Sequence, residues 1–176
     1  MVKETTAFSK WVKIWLLTGV LMVFFQVIIG GITRLTDSGL SITEWAVIQG
    51  TIPPLNAAEW ETERQKYMTH AIGQVNMKWS GNMYPDGIPL NEFKFIYFWE
   101  YFHRLWARTM GFVFLVPFLF FLFLKKMSKP LIIQLLKVVA LTFLVAVFGW
   151  IMVKSGLDTP EFAWVNGYKL TIHLSL

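Results

Sequence analysis

The stretch FWEYFHRLWAR, residues 98–108, runs directly into the apolar stretch MGFVFLVPFLFFLFL, residues 110–124. Four ionisable residues therefore lie at the mouth of a long apolar helix: Glu100, His103, Arg104 and Arg108. Ionisable side chains at such a place are costly, and they usually face a cavity or a partner. At about 100° per residue, one third of the helix circumference holds Glu100, His103, Arg104, Ala107 and Gly111, with Arg108 at its edge. This face suits a planar ligand with an anionic rim, such as haem, whose iron is commonly held by histidine.

The composition indicates an integral membrane protein. Of 176 residues, 55% are hydrophobic and only 15% are charged, which is less charge than a soluble domain of this size carries. The absence of cysteine excludes disulfides, iron–sulfur clusters and cysteine-ligated zinc. The net charge of +5 is compatible with nucleic-acid binding. However, lysine clusters in membrane proteins mark the cytoplasmic side, and no nucleic-acid motif accompanies them, so we expect no nucleic-acid partner.

Hydropathy divides residues 1–176, which we treat as a single membrane domain, into spans and connections. Transmembrane helices are expected over about 12–32, 95–124 and 131–153, and a fourth helix begins near 166. Residues 14–32 of the first helix include Gln26 as their only strongly polar member, and these 19 residues rise about 28 Å, close to the hydrocarbon thickness. A signal-peptide core is the alternative there, but it would be shorter and followed by a cleavage site.

Residues 33–94 form a long outer loop that is rich in proline, glycine and tryptophan. The prolines and glycines break it into turns and short pieces. One surface helix is expected at 57–68, and residues 76–93 are expected to be loop. We predict that the whole connection is structured and caps the membrane domain.

Charge sets the expected orientation. The short loop 125–130 carries three lysines and no acid, whereas 34–94 holds five basic and seven acidic residues. The positive-inside rule then places the N-terminus in the cytoplasm and the long loop outside. Only about a dozen residues remain for the fourth helix, where roughly 20 are needed to span. The sequence is therefore expected to be a fragment.

Two histidines lie near the outer ends of helices that enter from outside. Counting back about 20 residues from Leu124 puts His103 at the outer rim, and His173 lies at a comparable depth in the fourth helix. Two imidazoles at one level on different helices are what bis-histidine haem ligation requires. The alternative is that each is a hydrogen-bonded interfacial residue. We predict no chemistry for the third histidine, His70.

The charged neighbours of this pair have plain alternatives as well. Glu100 and Arg104 are spaced i,i+4, so a simple intrahelical ion pair is possible. Arg34 follows Gly30-Gly31 at the outer end of the first helix. It could recognise a carboxylate in a bidentate manner or only snorkel at the interface.

Several blocks of this sequence resemble haem A synthases. They are GGITRLTDSGLSITEW (30–45), PPL (53–55) followed by Trp60, EFKFI (92–96), WEYFHR (99–104) and GWIMVKSGL (149–157). The resemblance implies the N-terminal four-helix half of an all-α bundle of eight transmembrane helices in two related halves. The outer loop contains no cysteine pair, and in this respect the chain resembles the mitochondrial and proteobacterial branch of the family. Because no import sequence is present, the resemblance favours the inner (plasma) membrane of a bacterium over the mitochondrial inner membrane.

The resemblance also implies an activity and residue roles. The family is a membrane oxidoreductase that oxidises a methyl group of haem O to a formyl group, giving haem A for terminal oxidases. By this resemblance His103 and His173 would be the axial ligands of the substrate haem, and Glu100 the essential carboxylate. Our own inference adds propionate contacts from Arg34, Arg104 and Arg108. Ala107 stands where the family pattern predicts glycine, which slightly narrows the site.

A haem b cofactor would be bound by another histidine pair in the C-terminal half, so a chain ending at residue 176 would lack that site. Haem O and the lipid membrane are the expected partners. The candidate protein partners are haem O synthase, oxidase assembly factors and further copies of the chain. A cytochrome b-like electron-transfer subunit is the main alternative function, and a transporter or structural membrane protein is a third. An electron carrier needs no carboxylate such as Glu100 beside its haem ligand. Glu100 therefore distinguishes a haem A synthase from an electron-transfer subunit.

Overall fold

The computed structural model describes residues 9–44, 52–69, 77–79, 82–84, 87–157 and 165–176. Within these ranges there are five helices and one hairpin: α1 (Lys10–Leu35), α2 (Ala57–Thr69), β1 (Met77–Trp79), β2 (Asn82–Tyr84), α3 (Leu90–Phe123), α4 (Lys129–Leu157) and α5 (Gly167–Ser175). The strands pair antiparallel, with Lys78 opposite Met83. The hairpin and the first turn of α3 lie where the sequence suggested only loop. His70 is outside the described residues.

Three of the helices, α1, α3 and α4, are long and apolar enough to cross a membrane. This confirms the prediction of a helical membrane protein. With 34 residues, α3 is about 51 Å long, well beyond the roughly 30 Å of the hydrocarbon core. The helix begins at Leu90, about five residues before the predicted start. Because it is longer than the hydrocarbon core, part of it projects out of the membrane. α5 has only nine residues, and it is too short to span.

Local chemistry sets the helix ends. The side chain of Asn166 caps α5 by accepting hydrogen bonds from the backbone N–H groups of Tyr168 and Lys169. α3 ends at a tight turn in which Lys125 adopts a left-handed conformation, with φ of 52°. Pro130 stands at the second position of α4, where its missing N–H costs nothing. This short turn connects α3 directly to α4.

The helices α1, α3, α4 and α5 form two packed pairs, α1 with α3 and α4 with α5. Two tryptophans tie the first pair together: Trp15 donates to the carbonyl of Val113 at 3.1 Å, and Trp106 donates to that of Met22 at 3.0 Å. The pairs meet where α1 begins and α4 begins. There a turn-end cluster is buried, consisting of Val12, Trp15, Phe118, Met127, Leu131 and Leu135.

A second cluster lies at the opposite end, which we call the loop end. It joins the segment after α1, the helix α2 and the projecting part of α3, and consists of Ile42, Tyr67, Ile88, Phe93, Ile96 and Tyr97. Arg64 of α2 adds a hydrogen bond to the carbonyl of Ile88 at 3.0 Å. The loop end thereby fixes the segment around residue 42 against α3.

The buried phenol of Tyr67 makes the loop end sensitive to alkali. Burial and, secondarily, the negative charge of Glu100 raise the pKa of Tyr67 above its ordinary value of 10. The folded state thus holds the phenol proton more tightly than the unfolded state does. The stability from this group is present below pH 10 and is lost as the pH rises towards the folded-state pKa.

Tyr67→Phe is therefore expected to reduce the loss of thermal stability above pH 10. Melting temperatures in detergent, followed by circular dichroism between pH 8 and 11, test this. Tyr168→Phe is the control, because that tyrosine is 86% exposed. If the melting temperatures of the wild type and Tyr67→Phe fall equally above pH 10, the loss of stability does not come from the Tyr67 phenol.

Candidate functional site

Glu100 is the buried charge around which the loop end is built. It lies on α3 and is only 3% exposed. Its Oε2 accepts hydrogen bonds from the Ser41 hydroxyl at 2.7 Å and from the Ile42 backbone N–H at 2.8 Å. The Ser41 hydroxyl also lies 3.3 Å from the carbonyl of Ile96. The segment that follows α1 thus fixes one oxygen of the carboxylate.

Arg104 holds the other oxygen. It lies one helical turn after Glu100, and its Nη2 donates to Oε1 of the carboxylate. The guanidinium also donates to the carbonyls of Ile42, at 3.3 Å, and Glu44, at 3.4 Å. The i,i+4 ion pair considered as an alternative is therefore present. It is more than a local helix pair, because both partners also bind the segment at residues 41–44.

His103 faces α1. Its Nε2 lies 2.8 Å from the amide nitrogen of Gln26. A methyl group added to Gly30, one turn further along α1, would lie only 3.1 Å from the same Nε2. The glycine therefore leaves the space that the imidazole occupies. Glu100 and His103 share a helix face by sequence, but they contact different partners: the segment after α1 and α1 itself.

His173 lies on α5 and packs against α4. Its Nδ1 is 3.0 Å from the carbonyl oxygen of Val145, and a methyl group on Gly149 would come within 3.0 Å of the ring. A carbonyl oxygen can only accept, so Nδ1 carries the proton. In the neutral imidazole the lone pair is then on Nε2, as in histidines whose other nitrogen is fixed by a backbone carbonyl for iron or zinc binding.

The two histidines belong to different helix pairs, and each ring packs against a glycine of the partner helix in its own pair. The helices α3 and α5 are not among the closely packed helix pairs of the described residues. The recorded polar contact of each imidazole is with the partner helix of its own pair: His103 with Gln26 of α1, and His173 with Val145 of α4. The tautomer of His173 leaves its Nε2 lone pair available, which fits ligation of a haem iron.

The three arginines that were predicted to contact an anionic group differ in their present side-chain partners. Arg34 pairs with Asp37 at 3.3 Å, and both side chains are more than half exposed. Arg104 is bound to Glu100. Arg108, one turn deeper on α3, has a buried Nη1 for which no hydrogen-bond partner is found among the described residues. An unpaired buried guanidinium nitrogen is costly, so Arg108 is the best placed of the three to receive an anionic group.

Sequence reasoning missed three residues of this site. Ser41 stood in a recognised block without a role, and nothing in the sequence signalled its hydroxyl as a partner of Glu100. Gly149 was likewise quoted only as part of a block. Gln26 did carry a signal, because it is the one strongly polar residue between positions 14 and 32. Its contact with His103 spans 77 residues of sequence.

Comparison with known proteins identifies close relatives. The profile of the COX15-CtaA family, described as cytochrome oxidase assembly protein, matches residues 13–176. A haem A synthase of Nitrosospira multiformis is 45% identical over 97% of this chain and 45% of its own length. One of Flavobacterium psychrophilum is 42% identical over 95% of this chain and 47% of its own length. One of Ehrlichia canis is 44% identical, with shares of 94% and 45%.

The chain thus spans less than half the length of these curated relatives. No solved structure matches it significantly.

Proposed function

The chain belongs to the COX15-CtaA family of cytochrome oxidase assembly proteins, and we propose that it is the haem O-binding half of a haem A synthase. The observation that supports this most strongly is the pair of histidines on different helix pairs, one of them on the same helix as the buried carboxylate of Glu100. The curated relatives bear the name haem A synthase. The proposed reaction oxidises a methyl group of haem O to a formyl group.

In this proposal His103 and His173 hold the iron of haem O, which is the substrate and supplies the redox-active metal. Gly30 and Gly149 give the two imidazoles their space. The hydrogen bond from Nδ1 of His173 to Val145 leaves the opposite nitrogen of that ring available. Arg108 receives a propionate, since its Nη1 is buried and unpaired. Arg34 and Arg104 are weaker candidates for that contact because each already binds a carboxylate.

Glu100 is proposed as the catalytic carboxylate. Oxidation of a methyl group to an aldehyde needs a group that accepts protons or stabilises a developing positive charge. Three donors fix Glu100, namely the Ser41 hydroxyl, the Ile42 N–H and the Arg104 guanidinium. A pure electron carrier has no use for such a fixed carboxylate, so the cytochrome b-like alternative is not favoured.

The remaining parts of the proposal concern the whole protein. We infer an eight-helix, two-repeat bundle in which the other half binds haem b, located in a bacterial inner membrane with a cytoplasmic N-terminus. The loop end would then lie on the extracytoplasmic side. Haem O synthase, oxidase assembly factors and further copies of the chain are the proposed protein partners.

Pigment extraction tests the proposed function. Cells that make haem O but lack their own haem A synthase are transformed with the full gene, which encodes both proposed halves, and their haems are separated by chromatography. We expect haem A to appear at the expense of haem O. Bound haem without any haem A would instead indicate an electron-transfer protein, and a purified protein without haem absorbance would indicate neither.

Ser41 is expected to act as a positioning residue for Glu100. Loss of one hydrogen bond to a charged group costs about 1.5–3 kcal/mol, so Ser41→Ala should lower the rate of haem A formation by about tenfold or more. Haem O retention should not change, because the Ser41 hydroxyl bonds to Glu100 and to the carbonyl of Ile96, and neither is a proposed iron ligand. Ser41→Thr keeps the hydroxyl and should restore most of the rate. If Ser41→Thr is as slow as Ser41→Ala, the hydroxyl is not what matters.

A further inference from the structure

Gln26 and His103 form the closest polar contact at the proposed iron-binding nitrogen. The amide nitrogen of Gln26 lies 2.8 Å from Nε2 of His103. An amide NH₂ group can only donate, so Nε2 must accept. The imidazole proton is then on Nδ1, and the lone pair of Nε2 points at Gln26.

Iron and the Gln26 amide require the same lone pair. A neutral imidazole binds a metal through its unprotonated nitrogen, and in haem proteins the axial histidine does so. The tautomer that Gln26 selects is thus the one that iron needs. However, Nε2 of His103 already accepts a hydrogen bond from the Gln26 amide.

We propose that Gln26 competes with haem iron for Nε2 of His103 and thereby weakens substrate binding, so that haem can leave the site. This inference rests on the proposed function, in which His103 is an axial ligand. Because Nε2 faces α1, iron can reach it only after the imidazole turns away from Gln26, and this breaks the hydrogen bond and leaves the amide unpaired. Such a penalty reduces the affinity of the site for any haem.

The environment of Gln26 supports a role beyond packing. It is a polar residue in the middle of a membrane-spanning helix, where such residues are costly and usually functional. Its Oε1 is buried and has no hydrogen-bond partner among the described residues. Gln26 thus makes one bond at the expense of an unsatisfied oxygen, and that bond goes to the iron-binding nitrogen. Gly30 on the same helix lets the imidazole come this close.

The test is an absorbance titration of the purified, haem-free protein in detergent with haemin. Gln26→Leu removes the competing donor and should lower the Kd by about tenfold, the effect expected for about 1.4 kcal/mol. Gln134→Leu is the control, because Gln134 is also a glutamine of a membrane-spanning helix but is exposed. It should leave the Kd unchanged. Gln26→Met, of similar length, replaces Gln26→Leu if that variant does not fold.

The sign of the change decides the question. An unchanged or higher Kd in Gln26→Leu or Gln26→Met would overturn the inference, because a residue that merely positions His103 would weaken binding when lost. In the His103→Ala background the Gln26 substitution should have no effect, since the shared nitrogen is gone. If His103→Ala alone binds haemin as well as the wild type, the proposed ligand fails instead. The two failures are therefore distinguishable.

Nitrogen NMR of the haem-free wild-type protein gives an independent measurement. Labelled His103 should show its proton on Nδ1 and a hydrogen-bonded Nε2. Gln26→Leu should shift the Nε2 resonance without changing that of His173. A proton on Nε2 of His103 in the wild type would contradict the proposed competition.

Discussion

Glu100→Ala is expected to stop haem A formation while haem O remains bound. Removal of a general acid or base typically lowers a rate by about 10²–10⁴-fold, so haem A should fall below detection in extracted pigments. Haem retention should persist, because the proposed iron ligands are on other side chains. Quantification of both haems in membranes with equal amounts of protein tests the two statements together.

The surroundings of Glu100 require a second variant. Glu100→Ala also leaves Arg104 without its carboxylate, and Arg104 is only 10% exposed. Breaking one side of a buried ion pair destabilises a protein by about 3–5 kcal/mol. Glu100→Gln keeps an oxygen for Arg104 but cannot take a proton, so it should fold better than Glu100→Ala and remain inactive.

Glu92→Ala provides the matched control, since Glu92 lies on the same helix in its first turn. It should retain the parent rate. If Glu100→Gln also forms haem A at that rate, then Glu100 is a structural anchor for residues 41 and 42 and has no part in the chemistry.

The helices were predictable because their signal is local. Runs of apolar residues identified α1, α3 and α4, and the three are confirmed as helices of membrane-spanning length. The family resemblance, carried by blocks such as residues 30–45 and 99–104, is confirmed as well. The early start of α3 was missed because residues 90–94 include polar side chains. In the structure these residues are helical, and Phe93 among them packs against Tyr67 of α2.

The contacts of the site were not predictable, because they join distant parts of the chain. Periodicity put Glu100, His103 and Arg104 on one face of α3, but it could not say what that face touches. The partners of Glu100 are 58 and 59 residues away, and Gln26 is 77 residues from His103. A single sequence records no such pairing. The ligand roles of His103 and His173 therefore remain predictions that rest on geometry and resemblance.

Loss of either histidine is expected to remove substrate haem from the protein. Substitutions of groups that merely orient a metal ligand cost about 10–100-fold in affinity, so loss of a ligand itself should cost at least about 100-fold. His103→Ala and His173→Ala should both be purified with little haem O, and both should lose the absorbance of a six-coordinate haem. The measurement is the ratio of haem to protein absorbance after purification.

The two variants remove different local contacts, so a common loss of haem from both would point to a shared iron. His103→Ala removes an imidazole that also bonds to Gln26, whereas His173→Ala frees the carbonyl of Val145 and leaves α1 and α3 unchanged. If both histidines hold one iron, each variant should lose the same spectrum despite these different local effects. His70→Ala should keep the wild-type spectrum and serves as the control. Variants that differ, with haem retained in one and lost in the other, would show that His103 and His173 do not share a ligand.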